Sequence, residues 1–296
     1  MQYIGELSAL ATAVMWTGSA LAFAAATTRV GSVYVNVVRL AAAIVFLLAT
    51  IVVFGIQVNV SAVQVLFLSM SGFVGFVFGD TFLFKSYEYT SARISTLIMS
   101  AAPAMTALMA FLFLNETLSF IGVLGMTVTL AGIALVILER KESSSHRIPI
   151  SMAGVVYALL GALGQAGGMI FAKSAFAQGP VNGFVATLIR ASAALLVLAP
   201  LNYFAGRFTK PREIFTNDRK AFRFTMLGSF LGPYLGVTFS LIAISLTNVA
   251  VAATIIALVP IIMLPTVWLL FHEKLTWRAV VGAWVAVAGV GILFLR

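Results

Sequence analysis

Three side chains that ionise, Arg39, Asp80 and Arg190, lie well inside long apolar runs of the chain. A charge there is costly, and such residues usually mark a pathway for an ion or a substrate, or a counter-ion pair. Arg39 and Asp80 are predicted at comparable depth, so they could pair either as a gate or ion-coupling site or as a fixed structural bridge. Arg190 could face a cavity, a group of carbonyls or an anionic substrate.

Aromatic and amide side chains occupy equivalent places in two other apolar runs. Trp16 and Ser19 lie in the first run, and Gln165 lies in the sixth. A flat aromatic face opposite an amide would suit an uncharged or zwitterionic substrate with an apolar side chain. The alternative is that Trp16 packs and Gln165 bonds a neighbouring helix, as polar residues in membranes often do.

Two prolines interrupt further apolar runs. Pro103 and Pro260 each remove one backbone donor, so a carbonyl of the preceding turn must find another partner. Thr96 and Ser100 precede the first proline, and Thr254 precedes the second. We expect these broken helices to line a cavity and to offer carbonyls to a substrate, although kinks without substrate contact would also explain them.

Glycines recur at three- and four-residue spacing in two runs, at Gly72, Gly75 and Gly79 and at Gly228, Gly232 and Gly236. Small residues on one face allow close helix approach, so packing is the favoured interpretation. Pro233 interrupts the second stripe and could bend the helix so that Tyr234 turns inward. Tyr234 and Thr238 complete the predicted substrate contacts.

The composition determines the medium in which these residues act. Apolar residues make up 61% of the 296 positions and charged residues 9%, against about 25% charged in a soluble domain. The runs are continuous, so the alternating strands of a membrane barrel are not expected, and about 20 helical residues cross a bilayer. We therefore predict an all-α integral membrane protein with ten transmembrane helices, near 4–26, 32–54, 62–84, 92–114, 119–139, 152–175, 181–204, 222–245, 249–271 and 276–295.

The sequence contains an internal repeat. At a shift of 157 positions, Pro103 falls on Pro260 and Glu116 on Glu273, and several glycines match as well. Arg39 meets Arg190 at a shift of 151, and Trp16 meets Gln165 at a shift of 149. We predict a first five-helix repeat over 1–140, a hinge over 141–151 and a second repeat over 152–296. An odd number of spans per unit makes the repeat inverted, as in many transporters.

Basic residues concentrate in the loops after predicted helices 1, 3, 5, 7 and 9, whereas the opposite face has only Lys173 and Arg296. Lys and Arg accumulate on the cytoplasmic side, so we predict a multi-pass protein of the plasma (inner) membrane with both termini extracytoplasmic. The net charge of +9 is then a topology signal and a partner for anionic lipid headgroups, and no nucleic-acid partner is expected.

The sequence contains little that would support an enzyme active site. Inverted topology places Glu116 and Glu273 on opposite membrane faces, where each is expected to bond the amides of the helix that follows it. His146 and His272 have no companions that could ligate a metal, and cysteine is absent. We predict no metal site, no cofactor and no catalytic residue.

The duplicated order TSARIS, Pro, NETLS, Gly, Gly and TNVAVA, Pro, HEKLT, Gly, Gly resembles the EamA family of the drug/metabolite transporter superfamily and covers both halves. The resemblance implies a ten-helix bundle with a central cavity, alternating access and a small-molecule substrate. Export of amino acids, aromatic or otherwise apolar, is the leading hypothesis. Efflux of drugs or cationic compounds is the alternative, sugar-phosphate exchange comes third, and a membrane sensor without transport is a further alternative. The sequence leaves the oligomeric state open, and a monomer is one of the alternatives.

Overall fold

The computed structural model describes residues 3–89, 95, 98–139, 151–259, 261–263 and 277–294, which are helices and connecting loops without a strand. The helices are α1 (Ile4–Val30), α2 (Ser32–Val53), α3 (Ala62–Gly72, Phe73–Gly79 and Asp80–Tyr89 in succession), α4 (Ala102–Leu114), α5 (Phe120–Glu139), α6 (Met152–Ala177), α7 (Gly183–Phe204), α8 (Arg219–Ser229, Phe230–Gly236 and Val237–Leu246 in succession), α9 (Val249–Ile256) and α10 (Trp277–Phe294). A short helix, Pro211–Asn217, lies in the loop before α8 and is called the loop helix.

Within this part of the chain, six helices are long and apolar enough to cross a membrane, namely α1, α2, α3, α6, α7 and α8. Apolar stretches of 10–17 residues lie in α4, α5, α9 and α10. The predicted all-helical membrane protein is therefore confirmed for the described residues, whereas ten spans and their inverted arrangement stay predictions. Most of the predicted hinge lies outside the described residues.

Local sequence explains where several helices begin. Ser61 accepts a hydrogen bond from the Gln64 amide, and the Gln64 side chain accepts one from the Ser61 amide, which forms a capping box at the start of α3. Ser151 caps α6, and Asn182 caps α7. These caps satisfy amide groups that have no partner inside the helix.

Both α3 and α8 contain a π-helical stretch of seven residues in the middle of the membrane span. The first is Phe73–Gly79 and the second Phe230–Gly236, so the two are related by the same shift of 157 positions as the sequence repeat. π-Helical stretches are rare in proteins, and those that occur often lie at functional sites. Pro233 lies in the second and cannot donate to the helical ladder.

The helical path is broken before α4 and again at the end of α9, at equivalent positions. Residues 100–101 and 257–258 form turns. Ala101 donates its amide to the Ile98 carbonyl at 3.0 Å, and Leu258 donates to the Ile255 carbonyl at 3.1 Å. The predicted interruption of helix 4 is present, but Pro103 lies in the first turn of α4, where a missing amide hydrogen has little cost. Pro260 lies outside the described residues.

Glycine contacts join the two halves. A Cβ atom added at Gly236 would lie 2.5 Å from Trp16 on α1, and one added at Gly232 would lie 2.4 Å from the Ser19 hydroxyl. In the equivalent pair of helices, α3 and α6, a Cβ at Gly164 would lie 2.5 Å from the Gly79 Cα atom. The interpretation of the stripes as packing surfaces is confirmed, since a methyl group there would displace the opposing helix.

Helices α5 and α10 pack on one another through a contact that occurs twice. A Cβ at Gly132 would lie 2.4 Å from the Ala286 amide nitrogen, and a Cβ at Gly289 would lie 2.4 Å from the Thr129 amide nitrogen. Residues 132 and 289, like 129 and 286, are related by the shift of 157 positions. The repeat in the sequence is thus also a repeat in the contacts between helices.

Candidate functional site

Arg39 and Asp80 form an ion pair between α2 and α3. The Arg39 Nη2 atom donates to the Asp80 carboxylate, and Arg39 Nε donates to the Asn36 side-chain oxygen at 2.9 Å. The guanidinium also lies 5.5 Å from the centre of the Phe23 ring. With side-chain exposures of 9% and 17%, the pair is largely removed from water and the Arg39 cation is well partnered.

Arg190 on α7 is buried, with 6% of its surface exposed. Its guanidinium carbon lies 5.0 Å from the centre of the Phe76 ring. Its Nη2 atom lies close to Gly75, and a Cβ atom added at Gly75 would be 3.2 Å from it. The Nε atom has no hydrogen-bond partner among the described residues. Asp80 acts on this cation electrostatically, but in the described residues it is Arg39 that bonds Asp80.

The residue one helical turn before each arginine explains why Arg39 Nε has a side-chain partner and, in the described part of the chain, Arg190 Nε does not. Asn36 stands three positions before Arg39 and accepts its Nε hydrogen. The equivalent residue before Arg190 is Thr187, whose hydroxyl donates to the Gly183 carbonyl at 2.8 Å. A short hydroxyl group bonded to its own helix does not replace the longer amide side chain.

The second difference is the counter-ion. Val237 stands where the first half has Asp80, and it is buried. The described cluster therefore contains two arginines and one carboxylate, which leaves one positive charge in excess. A buried charge without a partner is strongly unfavourable. An anionic group bound beside Arg190 would remove that cost.

Tyr234 and Thr238 connect this region to an aromatic cluster. The Tyr234 hydroxyl lies 2.7 Å from Thr50 Oγ1, and its ring contacts Phe46, Phe184 and Phe230. Thr238 donates to the Tyr234 carbonyl at 2.6 Å and lies 3.1 Å from the Thr187 hydroxyl. The π-helical stretch of α8 therefore presents its tyrosine to α2 and α7.

The remaining predicted contacts are spread over packed surfaces. Trp16 is half-buried against Gly236, and Ser19 donates to the Gly228 carbonyl at 3.2 Å. Thr254 is buried and donates to its own helix, at Ala250. The structure places Gln165 on α6 beside Gly79, and Ser100 in the turn before α4 and Pro103. Thr96 and Pro260 lie outside the described residues.

The prediction that Glu116 bonds the amides of the helix that follows it was wrong. The Glu116 carboxylate accepts the amide hydrogen of Val249, the first residue of α9, at 2.9 Å. It also pairs with Lys173 of α6 at 3.3 Å. The following helix, α5, is capped by Ser119, which accepts from the Gly122 amide. An acid still lies at a helix N-terminus, but at one in the other half. Glu273 lies outside the described residues.

Sequence reasoning missed the other members of this contact. Lys173 donates to the carbonyls of Ile244 and Thr247 at 2.7 and 2.9 Å, and the Thr247 hydroxyl donates to Glu6 at 3.0 Å. We call Glu6, Glu116, Lys173, Thr247 and Val249 the loop latch, because they hold the α8–α9 loop against the first half. The available signal was Lys173 itself, a base on the face with few bases.

Two cavities lie away from the predicted substrate contacts. One, of about 470 Å³, is lined by residues of the loop helix and the start of α8. The other, of about 310 Å³, lies between α4 and α5 and includes Glu116. Among the residues that the structure describes, none of the predicted substrate contacts lines either cavity. Within the described residues, no group of three acidic or histidine side chains could hold a metal ion.

Known proteins provide an independent comparison. The model of the EamA-like transporter family matches residues 3–138 and 152–295. A Bacillus subtilis (strain 168) protein named uncharacterized transporter YxxF is 27% identical over 128 residues, which are 43% of this chain and 40% of that protein. A solved structure described only as "Crystal structure of protein" aligns over 100% of this chain and 98% of its own, with a TM-score of 0.75 and 17% identity. That likeness shows the fold alone.

Proposed function

The chain belongs to the EamA-like transporter family, and from this premise we propose that it is a multi-pass membrane transporter that exports amino acids with aromatic or other apolar side chains. The substrate would move by alternating access between the two halves. The curated relative matches over less than half of either chain, so the substrate proposal rests on the site.

The excess positive charge at Arg190 is the observation that carries the proposal. An amino acid offers a carboxylate, and a guanidinium binds a carboxylate with two parallel hydrogen bonds. The Nε atom of Arg190 lacks a partner in the described residues, and this atom is one of the donors that such a bond uses. The aromatic rings around Tyr234, which reach α7 through Phe184, would suit an apolar side chain.

Gating belongs to the same proposal. Arg39 and Asp80 join α2 to α3, and Glu116 in the loop latch joins the first half to α9. We assign the first contact to a cytoplasmic gate and the second to an extracytoplasmic gate. The assignment follows the predicted topology, in which the loop with Lys210 is cytoplasmic and the α8–α9 loop is on the other side.

The topology can be tested by thiol labelling, because the chain contains no cysteine. Asn115→Cys and Ser245→Cys should react with an impermeant thiol reagent from outside intact cells, and Asn217→Cys should not. Asn115 and Asn217 are both exposed, so a difference between them reports the side of the membrane. The reverse labelling pattern would overturn the assignment.

Transport itself should be measured with the purified protein in liposomes, with phenylalanine, leucine, alanine, a cationic dye and a sugar phosphate as test substrates. We expect exchange of phenylalanine and leucine, and weaker exchange of alanine. Movement of the dye without any amino acid would favour drug efflux. Movement of the sugar phosphate alone would favour phosphate-ester exchange and contradict the proposal.

A further inference from the structure

An arginine-lined cavity of about 470 Å³ lies between the loop helix, the start of α8 and Val38 of α2. Its basic residues are Arg212, Arg219 and Arg223, and its apolar residues include Phe215 and Phe222. Phe215 is buried, whereas 44% of the Phe222 surface is exposed. The lining is therefore largely apolar, and three arginine side chains border it.

The acids of this segment bond elsewhere. Glu213 pairs with Lys210 at 3.2 Å. Asp218 pairs with Arg29 of α1 at 2.7 Å and accepts the Ala221 amide hydrogen at 2.9 Å. Within the described residues, no ion pair involves the three arginines that line the cavity. Their charge is thus available to an external anion.

The surroundings place the cavity at a membrane–water boundary. Tyr203 and Phe204, at the end of α7, have 62% and 84% of their surfaces exposed, and aromatic residues at the ends of membrane spans lie at the level of the lipid headgroups. Basic residues follow directly, at Arg207 and Lys210. Clusters of this kind attract anionic lipid.

We propose that this cavity binds an acidic phospholipid, with the headgroup phosphate between Arg212, Arg219 and Arg223 and an acyl chain against Phe215 and Phe222. Arginine suits this role because its planar fork bonds phosphate through two donors. A free phosphate ion would use the cations but leave the apolar wall exposed to water. The combination of charge and apolar surface therefore favours a lipid.

The cavity borders α2, the helix that carries Arg39. Val38 lines the cavity and precedes Arg39, which forms the buried ion pair with Asp80. A bound lipid would hold the loop helix and the start of α8 against this part of α2. The lipid site itself rests on the cavity alone and does not depend on which substrate the protein transports.

The test compares lipid binding by three forms of the purified full-length protein in neutral-detergent micelles. The cavity variant carries Arg212→Gln, Arg219→Gln and Arg223→Gln. The control variant carries Arg207→Gln, Lys210→Gln and Lys220→Gln, which removes the same charge from the same segment outside the cavity. Phosphatidylglycerol and phosphatidylcholine are titrated, and binding is followed by native mass spectrometry and by the shift in melting temperature.

Wild-type protein should prefer phosphatidylglycerol, and the cavity variant should lose about 10- to 100-fold in affinity for it. The control variant should lose less than about threefold, because it keeps the three arginines. Equal losses in both variants would mean diffuse attraction to a basic surface and would overturn the proposal. Equal binding of the two lipids by wild-type protein would overturn it as well.

Two further measurements separate the remaining explanations. Inorganic phosphate and glycerol phosphate should not displace phosphatidylglycerol at matched concentrations, since neither fills the apolar wall. Displacement by inorganic phosphate that depends on the same arginines would identify a free-anion site and contradict the lipid. If the cavity variant does not fold, Arg219→Gln alone should weaken phosphatidylglycerol binding about three- to tenfold, and an unchanged affinity would refute the proposal.

Discussion

Arg39 and Arg190 occupy equivalent positions in the two halves, yet their surroundings differ in charge. Arg39 bonds Asn36 and Asp80, whereas Arg190 Nε has no hydrogen-bond partner among the described residues. Both guanidinium groups lie over an aromatic ring, at 5.5 Å and 5.0 Å. The two rings, Phe23 and Phe76, are not at equivalent positions of the repeat, and among the described residues only Arg39 of the two arginines has a bonded carboxylate.

In the proposed mechanism, this difference corresponds to a division of roles between the halves. A neutralised arginine can hold two helices together or open as a gate, because its partner is part of the protein. An arginine that keeps excess charge can bind an anion from outside. The two halves can therefore share one backbone plan while one supplies the contact between helices and the other the contact with substrate.

The largest effect is expected when the first half is made to resemble the second. Asp80→Val leaves Arg39 buried without its counter-ion, which should lower the free energy of unfolding by about 3 to 5 kcal/mol. Unfolding in mixed micelles of neutral and denaturing detergent measures this change. Asp80→Asn is the matched variant: it keeps polar contact, so it should cost less, slow exchange and leave substrate binding measurable.

Two results would contradict that comparison. If Asp80→Val is as stable as wild type, the ion pair does not hold α2 to α3. If transport is driven by a pH gradient and that drive disappears in Asp80→Asn, Asp80 couples protons rather than tuning a gate.

The reciprocal change supplies the second half with the missing acid. Val237→Asp places a carboxylate at the position equivalent to Asp80, and we predict that it pairs with Arg190. We expect phenylalanine affinity to fall about 10- to 150-fold, since a hydrogen bond to a charged group contributes about 1.5 to 3 kcal/mol. Binding is measured by competition on purified protein, and Val237→Leu is the control for a change of shape. Unchanged affinity in Val237→Asp would show that Arg190 does not bind the substrate.

Much of this comparison could be predicted from the sequence because it depends on residue identity at repeated positions. The apolar runs, the glycine stripes and the absence of an acid at Val237 are all readable there. The π-helical stretches were not predicted, since nothing in the composition distinguishes i+5 from i+4 hydrogen bonding around Gly75 or Gly232. The Glu116 contact with Val249 was also missed, because these residues are 133 positions apart and only the tertiary fold brings them together.

Trp16 and Gln165 provide the next, smaller test, because they are equivalent positions that pack on Gly236 and Gly79 respectively. The half-buried Trp16 ring could contribute about 1 to 2 kcal/mol to binding of an aromatic substrate. Trp16→Ala should therefore weaken phenylalanine about 5- to 30-fold and hardly affect alanine. Competition binding with both amino acids decides the matter. Equal losses would mean that Trp16 only packs α1 on α8.

The smallest effect is expected at an ion pair that faces water. Arg29 and Asp218 join α1 to the start of α8, with side-chain exposures of 42% and 25%, whereas Arg39 and Asp80 are far less exposed. The Ala221 amide, followed by Arg29, lowers the pKa of Asp218 below its ordinary value of 3.8. A lowered folded-state pKa contributes stability above the ordinary pKa, and this contribution is lost as the pH falls through the folded value.

Asp218→Asn should therefore be slightly less stable than wild type at neutral pH, by less than Asp80→Val. The difference should persist down to about pH 5 and shrink as the pH falls below 3.8. Added salt should reduce it, because exposed charges are screened, while the effect of Asp80→Val should resist salt. Unfolding in mixed micelles across pH and salt provides the measurement, with Arg29→Gln as the control for the ion pair alone. A difference that grows on acidification would mean that folding raises the pKa of Asp218 instead of lowering it, and the contrast between the exposed and the buried pair would then fail.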